Sequence, residues 1–334
     1  MRFNSDQIQK IGKEISSKVD GKTLFDEFSR GRYSTDASVY QIKPLGVVLP
    51  KNTNDVLSLM EYSQKNSVPL FARGGGSSQC GQTVGESVVL DYSKHQNKIL
   101  ELNVEEKYVW VQPGVVLDHL NAYLKPHGLW FPVDVSTSSR ATIGGMSANN
   151  SCGSRSLYYG NMVHNVLAIE AILDDGSIFN FDQINKNYLA TKNNQDRLYK
   201  IIDKFIDVRK KVGGEIDANW PTTQRRVGGY NIDLIDPEGF NSSNLLVGSE
   251  GTLSLFNKIK LKLSEIPKNK ILGVCYFDNF HQAMELSKEI VKLKPTCVEL
   301  MDQNLLNLAK EIPGLLYTSP SPRDRIASRM PSSA

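Results

Sequence analysis

Residues 73–82, Arg-Gly-Gly-Gly-Ser-Ser-Gln-Cys-Gly-Gln, directly follow the apolar run Val-Pro-Leu-Phe-Ala at 68–72. The pattern predicts a strand that ends in a glycine loop, because short apolar runs favour strands and glycines end them. Glycine has no Cβ atom, so this backbone can take a positive φ and come close to a ligand. Successive N–H groups in such a turn form an anion-binding concavity. We therefore interpret the loop as a cradle for a phosphate or diphosphate group.

A second glycine-rich stretch, Ala-Thr-Ile-Gly-Gly-Met-Ser-Ala-Asn-Asn-Ser-Cys-Gly, occupies residues 141–153. Its small residues permit close backbone approach, and Thr142, Ser147 and Asn149 offer hydroxyl and amide partners to a polar ligand. Alone, the stretch could equally be the start of a helix packed against a sheet. Two such stretches, each after a short strand, favour one shared ligand.

Two common nucleotide motifs fit poorly. The Rossmann pattern requires a glycine at position 79, where this chain has Gln79, and a helix where a strand is predicted. Gly21-Lys22-Thr23 imitates the end of a Walker A motif, but Ser16 stands where the first glycine belongs. We interpret Gly21 as the C-cap of a helix instead.

The composition narrows the classes of protein. A chain of 334 residues suggests two or three domains, and a net charge of +3 is too small to indicate nucleic acid or an anionic membrane as partner. The four cysteines are scattered and form no CxxC motif, so we expect free thiols in a reducing compartment and no metal site in this chain. The N-terminus has no secretory pattern, and no apolar run of about 18 residues exists. We expect a cytoplasmic protein, or one peripheral to a membrane.

Periodicity predicts a mixed chain. Residues 44–92 are predicted as a β-α-β-β unit, followed by hairpins over 99–112 and 165–181. The other predicted elements are an N-terminal helix with Ile8, Ile11, Ile15 and Val19 inward, helices 117–124, 195–212, 279–293 and one near 303, and strands 252–263, 271–277 and 296–301. Residues 315–334, rich in serine, proline and arginine, are predicted as a disordered tail. This tail resembles translated adapter read-through, so we expect a non-native end on a truncated chain.

The ordered motifs resemble a known family. They are RGGGSSQCGQ, VVLDYSK, VQPGV, PVDVSTSSRATIGGMSANNSCG, SLYYG, DDG, GGYN and VGSEGTLSL, preceded by Arg32-Tyr33-Ser34-x-Asp36-Ala37-Ser38-x-Tyr40. Together they resemble the FAD-binding domain of the vanillyl-alcohol-oxidase superfamily over about residues 30–310. The subgroup that they resemble most contains the glycolate oxidase subunit, D-lactate dehydrogenase and D-2-hydroxyglutarate dehydrogenase.

The resemblance implies a fold. It is an α+β, two-subdomain PCMH-type FAD-binding fold followed by the start of a ferredoxin-like cap domain. The expected divisions are an N-terminal helical segment at 1–39, the FAD-binding domain at 40–265, a truncated cap or substrate domain at 268–314 and the tail at 315–334.

The resemblance also implies which residues bind FAD. Residues before the second glycine-rich stretch are expected to contact the diphosphate, the flavin and the adenine side of FAD. They are Gly74, Gly75, Gly76, Ser77, Ser78, Gly81, Gln82, Pro113, Gly114, Asp134 and Ser136. A second group is expected in the second glycine-rich stretch, beside adenine, and in the segment 250–252, which comes back to the site. Its members are Thr142, Gly144, Gly145, Asn149, Asn150, Gly153, Ile169, Glu250, Gly251 and Thr252. Residues 74–82 contain no histidine that could tether flavin, so non-covalent FAD is expected.

Catalytic residues are not assigned by the motifs. The five histidines show no metal-ligand spacing, and each is interpreted as a surface or structural residue. His164, near the second loop, is a weak candidate, as are Arg225 and Arg226, for which a solvated basic pair is the alternative. In the family, substrate and metal groups lie mostly in the cap and the chain after it. Any metal or iron–sulfur cluster is therefore expected outside this chain, which alone is expected to bind FAD without completing the active site.

The function implied is FAD-dependent oxidation of a D-2-hydroxy acid such as D-lactate, glycolate or D-2-hydroxyglutarate. The flavin would accept a hydride and pass electrons to a cytochrome, quinone or flavoprotein, as in a cytochrome-type D-lactate dehydrogenase. The alternatives are an FAD-binding electron-transfer module of a larger complex without its own organic substrate, and a nucleotide-binding scaffold without flavin. The sequence does not separate a dehydrogenase from an oxidase that reduces O₂.

Overall fold

The computed structural model describes residues 3–185, 197–223 and 225–312. The chain divides after Ile266 into a large N-terminal unit and a small second unit that begins at Pro267. The tail at 315–334 lies outside the described residues.

All the strands of the described chain lie in the first unit. They are β1 (Lys22–Leu24), β2 (Gly46–Leu49), β3 (Leu70–Arg73), β4 (Val88–Asp91), β5 (Ile99–Asn103), β6 (Tyr108–Val111), β7 (Leu129–Trp130), β8 (Val166–Ile172), β9 (Ile178–Phe181), β10 (Gln183–Asn185), β11 (Gly239–Asn241), β12 (Leu255–Lys262) and β13 (Ser264–Glu265).

The described α-helices of the first unit are α1 (Ser5–Ser16), α2 (Glu27–Arg32), α3 (Thr53–Asn66), α4 (Leu117–Leu124), α5 (Ile143–Ala148), α6 (Ser156–Tyr159), α7 (Met162–Asn165) and α8 (Arg197–Asn219). Those of the second unit are α9 (Phe280–Lys292) and α10 (Gln303–Glu311). Short 3₁₀ turns occur at Lys125–His127, Ile232–Leu234 and Ser242–Leu245.

A four-stranded sheet carries the first glycine loop. Its order is β1-β2-β4-β3, with β2, β4 and β3 parallel and β1 antiparallel to β2. The helix α3 connects the parallel strands β2 and β3, which lie on either side of β4. The predicted β-α-β-β unit is therefore confirmed, and Asn52 caps α3 by accepting from the N–H of Asp55. Because β3 and β4 are parallel, both end at the same edge of the sheet.

The N-terminal segment contributes the strand β1 to this sheet and also forms the helix α1. The helix α1 starts with a capping box between Asn4 and Gln7 and buries Ile8, Ile11 and Ile15, as the spacing predicts. Gly21 is not a helix C-cap, because α1 ends at Ser16 and Gly21 leads into β1. A Cβ there would overlap the carbonyl oxygen of Leu49 on the neighbouring strand. Residues 3–39 therefore contain the strand β1 as well as the helices α1 and α2.

A five-stranded antiparallel sheet forms the second layer of the unit. Its order is β5-β6-β12-β8-β9, so both predicted hairpins are confirmed and β12 joins them. Ile259 in β12 pairs with Val111 on one side and Ile169 on the other, and all three side chains are fully buried. The sheet shares its core with α4 and with α8, which runs to Asn219, beyond the predicted end at 212.

The second unit contains the two predicted helices but not the two predicted strands. Over 271–277 and 296–301 the described chain forms no paired strand. A strand requires a neighbour for its N–H and C=O groups, and an apolar run supplies none by itself. Ile271 and Leu272 are accordingly 97% and 85% exposed. The ferredoxin-like cap stays a prediction.

In the described part of the chain, every helix is too short or too polar to cross a bilayer.

Candidate functional site

The first glycine loop starts at the edge where β3 and β4 end. Arg73, the last residue of β3, lies opposite Asp91, the last residue of β4. The backbone of Gly76 has a φ of +63°, a conformation that side chains rarely adopt. The main-chain N–H groups from Gly75 to Gln79 donate to no other group in the described residues. The loop therefore presents a row of free donors, as a phosphate cradle requires.

The second glycine-rich stretch lies directly against this loop. A Cβ atom at Gly74 would overlap Oγ1 of Thr142, and one at Gly75 would overlap the main-chain oxygen of Arg140. Glycine is needed at both positions so that the two loops can touch. The expectation was that glycines here let a ligand approach, whereas the structure shows that Gly74 and Gly75 let the second loop approach.

The start of α5 is held by the residues predicted around it. Thr142 caps the helix through Oγ1, which accepts from the N–H of Gly145 at 3.3 Å. The N–H of Gly144 donates to the oxygen of Pro113 at 2.8 Å, and that of Gly114 donates to the oxygen of Gln96 at 2.7 Å. Five of the predicted residues thus form one hydrogen-bonded group beside the first loop.

Asp134 organises the segment that follows the second loop. Its carboxylate accepts from the N–H of Arg155 at 3.1 Å and from Oγ of Ser154 at 3.0 Å. The Nε atom of Arg155 lies 3.8 Å from the same carboxylate. Gly153 is so close that a Cβ there would overlap Asp134. Ser136, in contrast, is exposed on the next turn.

Gln82 joins three of the predicted segments. Its Nε2 donates to Oδ1 of Asn149 at 3.5 Å, and it also hydrogen-bonds the carboxyl group of Glu250. Burial raises the pKa of Glu250, an effect that the bond from Gln82 partly opposes. The N–H of Glu250 in turn donates to the oxygen of Ala148 at 3.0 Å. The first loop, the second loop and the 250–252 segment therefore meet around one amide side chain.

The remaining residues predicted in the site lie less directly in it. Asn150 is fully buried, and its Oδ1 accepts from the N–H of Val163 at 3.0 Å, so it fixes the loop onto α7. Ile169 lies inside the five-stranded sheet, paired with Ile259 and Phe181, and not in the loops. Thr252 is exposed, and its Oγ1 lies 2.9 Å from the hydroxyl of Tyr230.

The three catalytic candidates divide into two groups. Arg226 forms an ion pair with Asp233 and lies over the ring of Trp220, 5.6 Å from its centroid. His164 accepts from the N–H of Asn161 at Nδ1, and burial together with the nearby Arg226 charge lowers its pKa. Both therefore have structural partners, as the alternative interpretation of His164 expected. The side chain of Arg225 is exposed.

Sequence reasoning did not assign roles to four residues that shape the first loop. They are Tyr33, Asp36, Arg73 and Asp91, which are linked by hydrogen bonds around the base of the loop. Tyr33 and Asp36 belong to the motif Arg32–Tyr40, which the sequence had already indicated. That this motif contacts the glycine loop, more than 30 residues later in the chain, is seen only in the structure.

Metal ligands are not assembled in the described residues, where no three His, Cys, Asp or Glu side chains gather. All four cysteines are free thiols, and Cys80 is exposed within the first loop.

The residues present fit an FAD diphosphate. The free N–H groups of the first loop supply donors for anionic oxygens. The second loop adds two buried polar atoms that have no partner in the described chain, Oγ of Ser147 and Nδ2 of Asn150, and Oγ of Ser249 in a neighbouring segment is unpaired as well. A buried polar atom without a hydrogen bond is costly, so each of these atoms has unused hydrogen-bonding capacity.

Comparison with known proteins identifies the domain that carries these loops. Residues 44–182 match the family described as "FAD binding domain". A D-2-hydroxyglutarate dehydrogenase of Haemophilus influenzae is 35% identical over 291 residues, which are 83% of this chain and 28% of the relative. The glycolate oxidase subunit GlcD of Bacillus subtilis is 30% identical over 306 residues, 90% of this chain and 55% of that protein. The chain thus spans about a quarter to a half of the length of these relatives.

A solved structure of alkyldihydroxyacetonephosphate synthase shares the fold. It has a TM-score of 0.59 and 18% sequence identity, and the match covers 86% of this chain and 50% of that one. The resemblance drawn from the motifs is confirmed: this chain contains an FAD-binding domain with the PCMH-type fold.

The contact between the two loops yields a first prediction. We expect Gly75→Ala to lower the free energy of unfolding by about 1–3 kcal/mol, because the added Cβ meets main chain that cannot move aside. The matched control is Gly85→Ala in the same loop, where the nearest atom to an added Cβ is Phe71 Cε1 at 3.5 Å. Urea unfolding of both variants measures the difference, and equal stabilities would contradict the contact.

The environment of His164 yields a second prediction. Its pKa in the folded chain is lower than in the unfolded chain, so the unfolded chain binds the proton first as the pH falls. The stability that the neutral ring contributes is therefore present above the unfolded value of about 6.5 and is lost as the pH falls through the lower folded pKa.

We expect the free energy of unfolding of His164→Gln to fall less between pH 7.5 and pH 5 than that of the wild type. Glutamine keeps an acceptor for the N–H of Asn161 but does not titrate. Urea unfolding between pH 7.5 and pH 5 tests it, with the exposed His119→Gln on α4 as control. The same acid dependence in wild type and His164→Gln would show that another group causes it.

Proposed function

We propose that this chain is the FAD-binding part of an oxidoreductase that oxidises a D-2-hydroxy acid. The observation that carries the proposal is the contact between the two glycine loops, with free N–H donors from Gly75 to Gln79 beside it. The relatives named above support the class of substrate, since they are a D-2-hydroxyglutarate dehydrogenase and a glycolate oxidase subunit.

Within this class, we favour D-2-hydroxyglutarate as the substrate. Four bacterial relatives with that substrate in their name are 33–35% identical to this chain, compared with 27–28% for relatives named D-lactate dehydrogenase. The cytochrome-type D-lactate dehydrogenase expected from the motifs therefore becomes the second choice. The electron acceptor is a cytochrome, quinone or flavoprotein in this proposal.

The residues of this chain bind and orient the cofactor. Bound FAD supplies the hydride acceptor for the carbon that carries the substrate hydroxyl. The N–H groups of Gly75 to Gln79 would hold the diphosphate, and the second loop, packed against Gly74 and Gly75, would support them. Gln82, Asn149 and Glu250 place amide and carboxyl groups where the three segments meet.

Recognition of the substrate carboxylate requires a cation. Arg226 is already neutralised by Asp233, so we assign it to the structure of the 225–233 segment. Arg225, which is exposed, remains the candidate in the described residues.

Cofactor binding is tested by the visible spectrum of the purified chain before and after acid precipitation. We expect yellow protein that releases FAD into the supernatant, because the first loop offers no histidine for a covalent bond. Folded, colourless protein that takes up no added FAD would contradict the proposal, and flavin retained on the denatured chain would contradict non-covalent binding.

The substrate class is tested by anaerobic bleaching of the flavin in the whole enzyme, with the cap and the chain that follows it, because this chain alone is expected to bind FAD without completing the active site. We expect D-2-hydroxyglutarate to reduce the flavin faster than D-lactate or glycolate, and L-2-hydroxyglutarate to leave it oxidised. If dithionite reduces the flavin but none of the hydroxy acids does, the result would instead favour an electron-transfer module without its own organic substrate. Equal rates of flavin reduction by the D and L acids would contradict the proposal that the enzyme recognises the D configuration of the substrate.

A further inference from the structure

The first glycine loop is tied at its base to an earlier segment of the chain, residues 33–40. Arg73 donates to the carbonyl oxygens of Tyr33 at 3.2 Å, Thr35 at 2.7 Å and Thr83 at 2.9 Å. Its guanidinium also lies over the ring of Tyr33, 5.3 Å from the centroid. One half-buried cation thus binds the 33–40 segment and the far end of the loop at the same time.

A second tie joins the same two segments independently of Arg73. Oδ2 of Asp36 accepts from Oγ1 of Thr83 at 3.0 Å and from its N–H at 3.5 Å. The other oxygen of Asp36 accepts from the N–H of Ser38 at 2.8 Å. Burial alone would raise the pKa of Asp36, but the bonds from Ser38 and Thr83 outweigh it and the pKa is lowered. The carboxylate is therefore held ionised against Thr83.

Both ends of the 33–40 segment are anchored as well. The hydroxyl of Tyr33 donates to Asp91, at the end of β4, at 2.6 Å. At the other end, the ring of Tyr40 lies against Gly81, where an added Cβ would come within 2.7 Å of Cδ2. The segment therefore crosses the loop from the sheet edge to the loop's final turn.

We propose that residues 33–40 are a strap that holds the first glycine loop in its FAD-binding shape, and that Asp36 and Thr83 form its latch. This inference rests on the proposed FAD site. The physical reason is that N–H groups without partners give the loop no stability of its own, so its shape must be fixed from outside. A loop that is fixed before binding loses less conformational entropy when the ligand arrives. Asp36 and Thr83 are thus positioning residues.

The test compares Thr83→Val, which loses the hydroxyl at nearly constant shape, with Thr83→Ser, which keeps it. We expect Thr83→Val to bind FAD about tenfold more weakly, because a hydrogen bond to a charged group is lost. Thr83→Ser is expected to restore wild-type affinity. FAD titration of the full chain by quenching of flavin fluorescence gives the affinities.

Hydrogen exchange of the peptide 74–87 in the absence of FAD provides a readout that does not depend on the cofactor. The latch predicts faster exchange in Thr83→Val and normal exchange in Thr83→Ser. The control is Thr23→Val, which removes a hydroxyl from an exposed pair with Ser16 in the same unit. It is expected to change neither FAD affinity nor exchange in the loop.

The outcomes separate the two proposals. Wild-type chain that binds no FAD contradicts the proposed function, and the exchange rates then decide the strap. Wild-type chain that binds FAD, with affinity and exchange unchanged in Thr83→Val, overturns the strap. Loss of affinity in both Thr83→Val and Thr83→Ser would also overturn it, because the hydroxyl would then not be the group that matters.

Discussion

The contact of Gly74 and Gly75 with the segment Arg140–Thr142 is the constraint on which the site depends. It joins a loop that leaves the four-stranded sheet to a helix start packed beside the five-stranded sheet. Any side chain at either glycine would force the two layers apart. The same contact fixes where the free N–H groups of the first loop lie relative to the second loop. The packing of the unit and the geometry of the site therefore cannot be changed separately.

Charge near the first loop is balanced by residues that lie beneath it. Arg73 brings one positive charge to the base of the loop, and Asp36 and Asp91 lie within reach of it. Since these three charges sum to −1, the base offers no positive net charge to an anionic diphosphate, which would be attracted by the N–H dipoles of the loop. Binding would then depend on directed hydrogen bonds more than on net charge, which agrees with the small charge of the whole chain.

Much of this arrangement could be predicted from the sequence because its signals are local. The glycine run at 74–76, the alternation in the two hairpins and the stripe of α1 each depend on neighbouring residues. The contacts across the chain could not be predicted this way. Nothing near Gly75 indicates that Arg140 will lie against it, and nothing near Arg226 indicates that Asp233 will neutralise it. The strands predicted at 271–277 and 296–301 are absent for the same reason, since an apolar run does not supply a partner strand.

The central place of β12 has a consequence for synthesis of the chain. The hairpins β5–β6 and β8–β9 are complete by Phe181, but they meet only through Leu255–Lys262. Until that strand leaves the ribosome, β6 and β8 each keep an open edge that could pair with another molecule. During synthesis, both glycine loops are therefore complete before β12 joins the two hairpins into the five-stranded sheet that packs beside the second loop.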